Sequence, residues 1–294
     1  MLYNKRYARH TFVPWHAFIS AFRYREAWVR GLEAKGVTVK VLSGSLRPTA
    51  GDLNTSFVIP HVLVDDYVCN SPLWQLACWF EVNNTPMLNS AASLALTSDK
   101  YATYQVWSQH HLQQPATFLL DELTKWPLPN KKMVLKPSYC DGGRWIQWAT
   151  SLAEAKDVVA AWRKHESQGG EIRGRALLQE YIEQPTCIRV IAGPDTCLVG
   201  YEKVTSPGHL LSQGHNRHIF EPSPELKTFA QNMVKSCGGG LMGVDILEKD
   251  GVYFALEANG PFGFDVTSVE LQLLLASFVM NKIQDSMLAK EMAV

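Results

Sequence analysis

The segment 241–260 constrains the fold most strongly, because it contains two strand patterns joined by a tight turn that ends at Gly251. Even-numbered positions are apolar on both strands, whereas the odd-numbered positions include Asp245, Glu257 and Asn259. If these three side chains share a face, two carboxylates and an amide can bind one divalent cation. Ligands that are all oxygen favour magnesium or manganese over zinc. A solvated sheet edge would explain the same residues equally well.

The turn decides whether Asp245 and Glu257 lie together. A two-residue turn would pair Asp245 with Leu256 and scatter the polar groups. A three-residue loop with Gly251 in a left-handed conformation would pair Asp245 with Ala255 and place it diagonal to Glu257, roughly 7–8 Å away. That register also gathers the apolar even positions on one face, so the sequence predicts the three-residue loop.

Composition excludes several classes of protein. The chain has 294 residues, enough for two or three packed units, and 28 basic residues balance 28 acidic ones. With no net charge, we expect neither a nucleic-acid partner nor a membrane partner. The N-terminal segment does not have the pattern of a signal peptide. The six cysteines form no CxxC pair, which favours free thiols and a cytoplasmic location.

The N-terminal third alternates helices and strands. Helices are predicted at Ala17–Lys35 and Pro72–Val82, and strands at Val37–Leu42, Ser56–Val64 and Met87–Leu88. This alternation is typical of a small open α/β domain, which we expect to cover residues 1–95.

A helix is predicted at Ser98–His111, with Ser98 as its N-cap and Lys100 in its first turn. A cation at that position opposes the helix dipole. Lys100 is therefore either a solvated surface lysine or a lysine that lies beside a bound phosphate, where the helix terminus and the ammonium group act on the same anion.

A second lysine ends an apolar strand. Lys136 lies in the strand 133–137 and is followed by a loop, 138–144, that contains paired glycines, with an outgoing strand from Trp145. A hairpin of this kind can fold its backbone amides over phosphates, although a plain turn has the same pattern.

Two later strands also carry charged residues. Glu180 interrupts the apolar strand Ala176–Ile182, where an acid requires a hydrogen-bond donor such as the amino group of an adenine. Arg189, on the strand Ile188–Ala192, can bind a carboxylate or phosphate through two parallel hydrogen bonds. The remaining predicted elements are a helix from Ser151 to His165, a strand at Thr196–Val204, a loop at Ser206–Pro222 and helices at Ser223–Cys237 and Thr267–Lys290.

Six segments, in this order and spacing, resemble the ATP-grasp superfamily. They are NTPMLNSAASLALTSDK (84–100), MVLKPSYCDGG (133–143), LLQEYIE (177–183), IRV (188–190), GVDIL (243–247) and LEANGPFG (256–263). The similarity is greatest to ribosomal-protein glutamate ligases, lysine-biosynthesis ligases and ligases like glutathione synthetase. It implies an α/β N-terminal domain followed by two α+β lobes that grip ATP, at 96–183 with a phosphate lid and at 184–294 with a metal site.

The resemblance also implies a role for each candidate residue, with ATP and Mg²⁺ (or Mn²⁺) as cofactors. The residues implied to bind ATP are Lys100, Lys136, Ser138, Gly142, Gly143, Gln179, Glu180, Tyr181, Ile182 and Glu183. The metal ligands would be Asp245, Glu257 and Asn259. Arg189 and Lys136 would be catalytic, and substrates would contact Arg189, Lys203, Asn216 and Arg217.

Three departures from the family pattern affect the substrate side. Cys187 stands where such ligases usually have an acid, and Glu202-Lys203 stands where they often have two arginines. The segment 214–217 replaces the usual arginine-x-asparagine. The resemblance therefore does not identify the substrates.

The expected reaction is ATP-dependent joining of a carboxylate to an amine through an acyl phosphate, with release of ADP and phosphate. The alternatives are a cyclo-ligase, a phosphotransferase and a non-catalytic nucleotide-binding protein. Small-molecule acids and amines, amino acids among them, are the expected partners. A homo-oligomer is compatible with the sequence, which does not decide the oligomeric state.

Overall fold

A computed structural model describes residues 2–3, 15–43, 51, 57–60, 72–140, 143, 145–167, 173–204, 216–260, 262–264 and 267–291. The helices are α1 (Trp15–Glu33), α2 (Pro72–Val82), α3 (Ala91–Ser98), α4 (Lys100–Gln109), α5 (Leu152–Ser167), α6 (Pro224–Ser236) and α7 (Val269–Glu291). The strands are β1 (Leu2–Tyr3), β2 (Leu42–Ser43), β3 (Thr117–Leu119), β4 (Met133–Tyr139), β5 (Gln147–Ala149), β6 (Arg173–Glu180), β7 (Thr186–Ala192), β8 (Cys197–Val204), β9 (Asn216–Phe220), β10 (Met242–Lys249) and β11 (Val252–Asn259).

The chain divides into two compact units. The first consists of Met1–Ala95, Gly238–Leu241 and Gly260–Val294, and the second of Leu96–Cys237 and Met242–Asn259. The mixture of helices with antiparallel sheets agrees with the predicted fold class. The division into lobes at 96–183 and 184–294 stays a prediction.

Among its described residues, the first unit has the predicted helices but little of the predicted sheet. Helix α2 has the predicted bounds, and α1 overlaps the predicted helix. The strand predicted at Val37–Leu42 is wrong, because only Leu42 and Ser43 pair, in parallel with β1. Within the predicted strand Ser56–Val64, only 57–60 are described, and Val58 forms a single parallel bridge to Met87. An apolar segment forms a strand only where a neighbouring strand supplies hydrogen bonds.

Helices α1 and α7 pack closely in the first unit. A Cβ atom added at Gly31 would lie 2.6 Å from the carbonyl oxygen of Gln272, so the contact requires glycine. On the same helix, the Trp28 ring forms T-shaped contacts with Phe262 and Phe264, with ring centroids 6.3 and 5.8 Å apart. This aromatic group forms part of the buried core of the first unit.

The second unit contains two antiparallel sheets. One has the order β3-β6-β4-β5, and the other has the order β11-β10-β7-β8-β9. Under the larger sheet, α4 and α6 form a core in which the indole N–H of Trp107 donates to the carbonyl oxygen of Met233 at 3.3 Å. Val190 and Val244 point into this core. Because side chains alternate along a strand, the adjacent residues point to the opposite face of the sheet.

The turn of the β10–β11 hairpin differs from the prediction. Lys249 pairs with Val252, so the turn has two residues, Asp250 and Gly251, with φ of +53° and +79°. Positive φ at both positions is the geometry of a type I′ turn, which suits the twist of a hairpin. The predicted three-residue loop is therefore wrong.

A β-bulge brings Asp245 opposite Glu257, whereas the two-residue turn alone would pair Asp245 with Leu256. The pairing changes from Ile246 opposite Ala255 to Asp245 opposite Glu257, which leaves Leu256 as the extra residue. The two carboxylates are thus direct partners, where the sequence predicted diagonal neighbours.

The bulge also changes which residues of β11 face the core. Tyr253 and Ala255 pack against it before the bulge, and Ala258 packs against it afterwards. Val252 and Phe254 do not belong to this core, so the prediction that the even positions share one face is wrong.

Asp99 lies between α3 and α4, and only α4 corresponds to the helix predicted at Ser98–His111. Ser98 ends α3, and the Asp99 carboxylate caps α4 by accepting hydrogen bonds from the amides of Tyr101 at 2.8 Å and Ala102 at 3.2 Å. The prediction of Ser98 as N-cap is wrong, whereas the prediction of Lys100 in the first turn is confirmed.

Two further predictions have different outcomes. Residues 216–220 were expected in a loop but form β9, because they pair with β8. The helix predicted from Ser223 is confirmed as α6, with the Ser223 hydroxyl as its cap.

Within the described part of the chain, no helix is both long enough and apolar enough to span a membrane.

Candidate active site

One face of the five-stranded sheet collects charged side chains from neighbouring strands. Arg189 on β7 is paired with Asp245 on β10, which is paired in turn with Glu257 on β11. Asn259 lies two residues beyond Glu257 and so points to the same face. The three predicted metal ligands therefore belong to one continuous polar surface, opposite the core.

Asp245 is held by two cations. It is only 4% exposed, and it accepts hydrogen bonds from Nε and Nη2 of Arg189, both at 2.7 Å, and from Nζ of Lys203 at 2.9 Å. Burial by itself raises the pKa of Asp245, but the charges of Arg189 and then Lys203 outweigh it and hold the pKa well below its usual range. Asp245 is therefore ionised at neutral pH.

Glu257 is paired with Lys100, at 2.9 Å between Oε1 and Nζ. The same ammonium group donates to the carbonyl oxygen of Cys140, which lies within the predicted phosphate lid at 138–143. Lys100 is the first residue of α4, so its ammonium group and the amides at the start of that helix belong to the same region. Both of these features attract anions.

Lys136 lies close enough to this pair to feel both charges, and it is buried in the middle of β4, an inner strand of the smaller sheet. Its ammonium group donates to Oε1 of Gln179 at 2.8 Å. Burial, and then the nearby charge of Lys100, lower the pKa of Lys136 to about 8, against smaller opposing effects from Glu257 and Cys140. An ammonium group that is costly to keep charged is one that a bound phosphate would stabilise.

The adenine hinge that the resemblance implies, residues 179–182, includes the last two residues of β6. Glu180 forms an ion pair with Lys131 at 2.6 Å, and its amide donates to the carbonyl oxygen of Ala116. A protein cation thus satisfies the Glu180 carboxylate, for which the sequence suggested an adenine. Ile182 is half-buried and Glu183 is exposed.

An aromatic cluster surrounds Tyr181. Its ring contacts the ring of Trp148 edge-to-face at 4.5 Å between centroids. The ammonium group of Lys132 lies 4.1 Å from the Trp148 centroid and 4.8 Å from the Tyr181 centroid. The two rings are thus held in place by a cation–π contact as well as by each other.

The predicted phosphate lid is described only in part. Ser138 is buried, and its hydroxyl accepts a hydrogen bond from the amide of Arg175 at 3.2 Å, so this side chain serves the β4–β6 contact. Gly143 has a φ of +71°, a conformation that suits glycine. Gly142 lies outside the described residues.

Of the predicted substrate residues, Arg189 and Lys203 belong to the polar face, since both bind Asp245. Lys203 pairs with both Cys187 and Arg217, and Val204 pairs with Asn216. The side chains of Arg217 and Asn216 lie outside the described part of the structure. Cys187, which replaces the usual acid, is buried, and burial raises its pKa to about 11.

The residues fit a divalent cation bound together with a polyanion. Asp245, Glu257 and Asn259 supply only oxygen donors that can bind a metal, which matches magnesium. Both carboxylates are neutralised by side-chain cations. Among the described residues, no group of three His, Cys, Asp or Glu side chains could hold a metal, so a site here depends on Asn259.

Charge balance indicates the kind of ligand. The cluster has four cationic side chains, Lys100, Lys136, Arg189 and Lys203, against the two carboxylates of Asp245 and Glu257, which leaves a net charge of +2. A phosphate chain would compensate that charge.

Sequence reasoning missed several supporting residues. Thr117 contacts Gln179, and Lys131 pairs with Glu180. Both partners lie far away in sequence, on or beside strands whose register the sequence did not supply. Asp99 could have been found, because Asp is as strong an N-cap residue as Ser.

A cavity of about 510 Å³ lined by Arg25, Glu26, Val29, Arg30 and Val41 lies in the first unit and contains none of the predicted site residues.

Comparisons with known proteins agree with this geometry. Residues 97–262 match the model of the ATP-grasp domain family, which is more than half of the chain. The chain is 25% identical over 249 residues to a coenzyme gamma-F420-2:alpha-L-glutamate ligase of Methanococcus maripaludis, over 78% of this chain and 84% of that protein.

Solved structures share the fold. D-alanine–D-alanine ligase from Bacillus anthracis, complexed with ATP, is similar with a TM-score of 0.66 at 11% identity, covering 97% of each chain. The ATP-grasp ligase PsnB, complexed with a phosphomimetic variant of a minimal precursor, Mg and ADP, is similar with a TM-score of 0.63 at 16% identity, covering 88% of this chain and 95% of that one.

Proposed function

The chain belongs to the ATP-grasp domain family, and we propose that it is an ATP-dependent ligase that joins a carboxylate to an amine and releases ADP and phosphate. In this proposal, residues 96–183 and 184–294 are the two lobes that hold the nucleotide, and 1–95 form a separate N-terminal domain. The single observation that carries the proposal is the net positive cluster around two paired carboxylates, Asp245 and Glu257.

The chemistry requires activation of the acid. A carboxylate is a poor acyl donor because its leaving group is oxide, and phosphorylation by ATP replaces this group with phosphate. In the proposed site, Lys100 and Lys136 bind phosphate oxygens and neutralise the charge that develops during transfer. Arg189, which forms two hydrogen bonds with Asp245, would orient the acid or the transferred phosphoryl group. Attack of the amine on the acyl phosphate then expels phosphate and forms an amide.

Asp245, Glu257 and Asn259 would hold a divalent cation, which supplies charge neutralisation at the phosphates. Lys100, Arg189 and Lys203 already neutralise the two carboxylates. When the nucleotide binds, these cations can turn from the carboxylates to its phosphates, which carry more negative charge. The metal ion then neutralises the carboxylates in their place. We therefore expect the metal and the nucleotide to bind together.

The substrates are proposed from the relatives and from chemical reasoning. The relative from Methanococcus maripaludis is named an alpha-L-glutamate ligase, so glutamate is the first amine to test. Cys187 and Lys203 depart from the usual substrate residues, which favours an acid different from those of the ligases that the sequence resembles. Small-molecule acids are therefore the class to screen.

The first experiment measures release of phosphate from ATP and magnesium, with acids and amines supplied singly and in pairs. A ligase releases phosphate at full rate only with both, and the product contains a new amide. A phosphotransferase leaves the phosphate on one substrate, and a cyclo-ligase needs only one substrate that contains both groups. Nucleotide binding with no turnover across the screen would favour the non-catalytic alternative.

A variant tests the site itself. Glu257→Gln removes one charge from the proposed metal site and should abolish formation of ADP while the protein stays folded. Glu202→Gln is the matched control, because Glu202 pairs with Ile188 and so lies on the other face of the same sheet. Normal turnover by Glu257→Gln would contradict the assignment of the metal site.

A further inference from the structure

A directional series of hydrogen bonds begins at Lys136 and ends at the carbonyl oxygen of Pro115. Its ammonium group donates to Oε1 of Gln179 at 2.8 Å, and Nε2 of Gln179 donates to Oγ1 of Thr117 at 2.9 Å. The Thr117 hydroxyl lies 3.0 Å from the carbonyl oxygen of Pro115. The side chains of Lys136, Gln179 and Thr117 are all buried.

The direction of the chain follows from its last member. A carbonyl oxygen only accepts, so the Thr117 hydroxyl donates to Pro115, and its own oxygen is left to accept from Gln179. The Gln179 amide is thereby fixed with its nitrogen toward Thr117 and its oxygen toward Lys136. The opposite orientation would place an NH₂ group against an ammonium group, with no acceptor between them.

The register of the smaller sheet explains why these residues meet. Lys136 on β4 is paired with Leu177, and Gln179 is paired with Thr117 on β3. Gln179 is two residues beyond Leu177, so it points to the same face as Lys136 and lies diagonal to it. Three neighbouring strands, β3, β6 and β4, therefore each contribute one buried polar side chain to the same hydrogen-bonded row.

We propose that Thr117 and Gln179 are positioning residues that hold the Lys136 ammonium group toward the phosphates of the nucleotide. This inference depends on the proposed function and deepens it. One ammonium proton is engaged by Gln179, so the other two remain for phosphate oxygens or water. Gln179 therefore acts on phosphates through Lys136, whereas its sequence-based assignment was to the adenine hinge.

The test measures the affinity of magnesium-ADP and of adenosine by isothermal titration calorimetry. Gln179→Met keeps the length of the side chain but removes the acceptor, and it should weaken ADP binding about ten- to hundredfold. Adenosine has no phosphate, so its affinity should not change. An equal loss for ADP and adenosine would place Gln179 at the base and overturn the proposal.

Thr117→Val removes the hydroxyl that orients the amide, and it should weaken ADP binding about two- to tenfold. Thr117→Ser returns the hydroxyl and should restore the affinity. Thr85→Val is the matched control, because Thr85 is buried to the same degree (7% exposed, against 6% for Thr117) but lies in the first unit. Thermal melting of every variant identifies any that fail to fold. If Thr117→Val does not fold, Gln179→Met still tests the positioning role.

The possible failures are distinguishable. If the unaltered protein does not bind magnesium-ADP, the proposed function and this inference both fail. If the unaltered protein binds magnesium-ADP and Thr117→Val and Gln179→Met bind it equally well, only the positioning role fails.

Discussion

Replacing Asp245 with asparagine should destabilise the second unit strongly, independently of any ligand. Asp245 is 4% exposed and accepts three hydrogen bonds from charged donors. Its partners are also shielded from water, since the side chains of Arg189 and Lys203 are 14% and 9% exposed. The substitution removes the carboxylate charge that both cations share, in a place where little solvent can replace it.

The magnitude follows from the cost of breaking a buried pair by removing one partner, about 3–5 kcal/mol. Asparagine keeps one acceptor oxygen but turns an NH₂ group toward a donor, so at least one charged hydrogen bond is lost. We expect the free energy of unfolding to fall by about 3 kcal/mol, at the lower end of that range.

Urea denaturation followed by tryptophan fluorescence measures the loss, since Trp107 is buried in the core of the second unit. Asp121→Asn is the matched control. Asp121 also accepts two hydrogen bonds from one arginine, Arg175, but both side chains are exposed, so the change in stability should be too small to resolve.

The pH dependence adds a second check. The folded-state pKa of Asp245 lies below its usual value. Its contribution to stability is therefore fully present above the unfolded-state pKa, about 3.9, and is lost as the pH falls through the lower folded-state pKa. The difference between the two proteins should be constant from pH 6 to pH 7 and shrink in acid. Equal urea midpoints at pH 7 would refute the reasoning.

Gly174→Ala should destabilise by about 2–3 kcal/mol, because the added Cβ would lie 2.2 Å from Oγ of Ser138 at a φ of +86°. Gly251→Ala, at a φ of +79° in open space, should cost only about 1 kcal/mol, and equal losses in urea would contradict the packing argument. Asp99→Ala should cost about 1 kcal/mol in thermal melting, and Asp99→Asn much less, unless the cap is unimportant. Since burial lowers the pKa of Lys136 to about 8, the affinity for ADP should fall from pH 7 to pH 9, and a constant affinity would mean that Lys136 does not bind phosphate.

Local signals identified the elements that local chemistry controls. Helix α2 begins at Pro72, a residue that suits the first turn, and α6 begins after Ser223, whose hydroxyl caps it. The strands β10 and β11 were visible as alternating apolar residues around a turn ending in Gly251. These features depend on neighbours in sequence, so one chain is enough to predict them.

Partners that are far apart in sequence were harder to predict. The turn at Asp250-Gly251 alone would have set Asp245 opposite Leu256, and only the bulge at Leu256 brings Asp245 opposite Glu257. Bulges have weak sequence signals, because they depend on the packing of both strands against the rest of the sheet. Strand β9 was missed for the related reason that its partner, β8, supplies its hydrogen bonds.

The sequence by itself determined which kinds of side chain are available, namely two carboxylates and an amide on one hairpin, a lysine at the start of a helix and a lysine within a strand. The tertiary structure decided which side chains meet: Lys203 and Arg189 bind Asp245, Lys100 pairs with Glu257, and Lys136 donates to Gln179. A hydrogen bond between distant residues depends on register and distances of a few ångströms, which only the packed sheets fix.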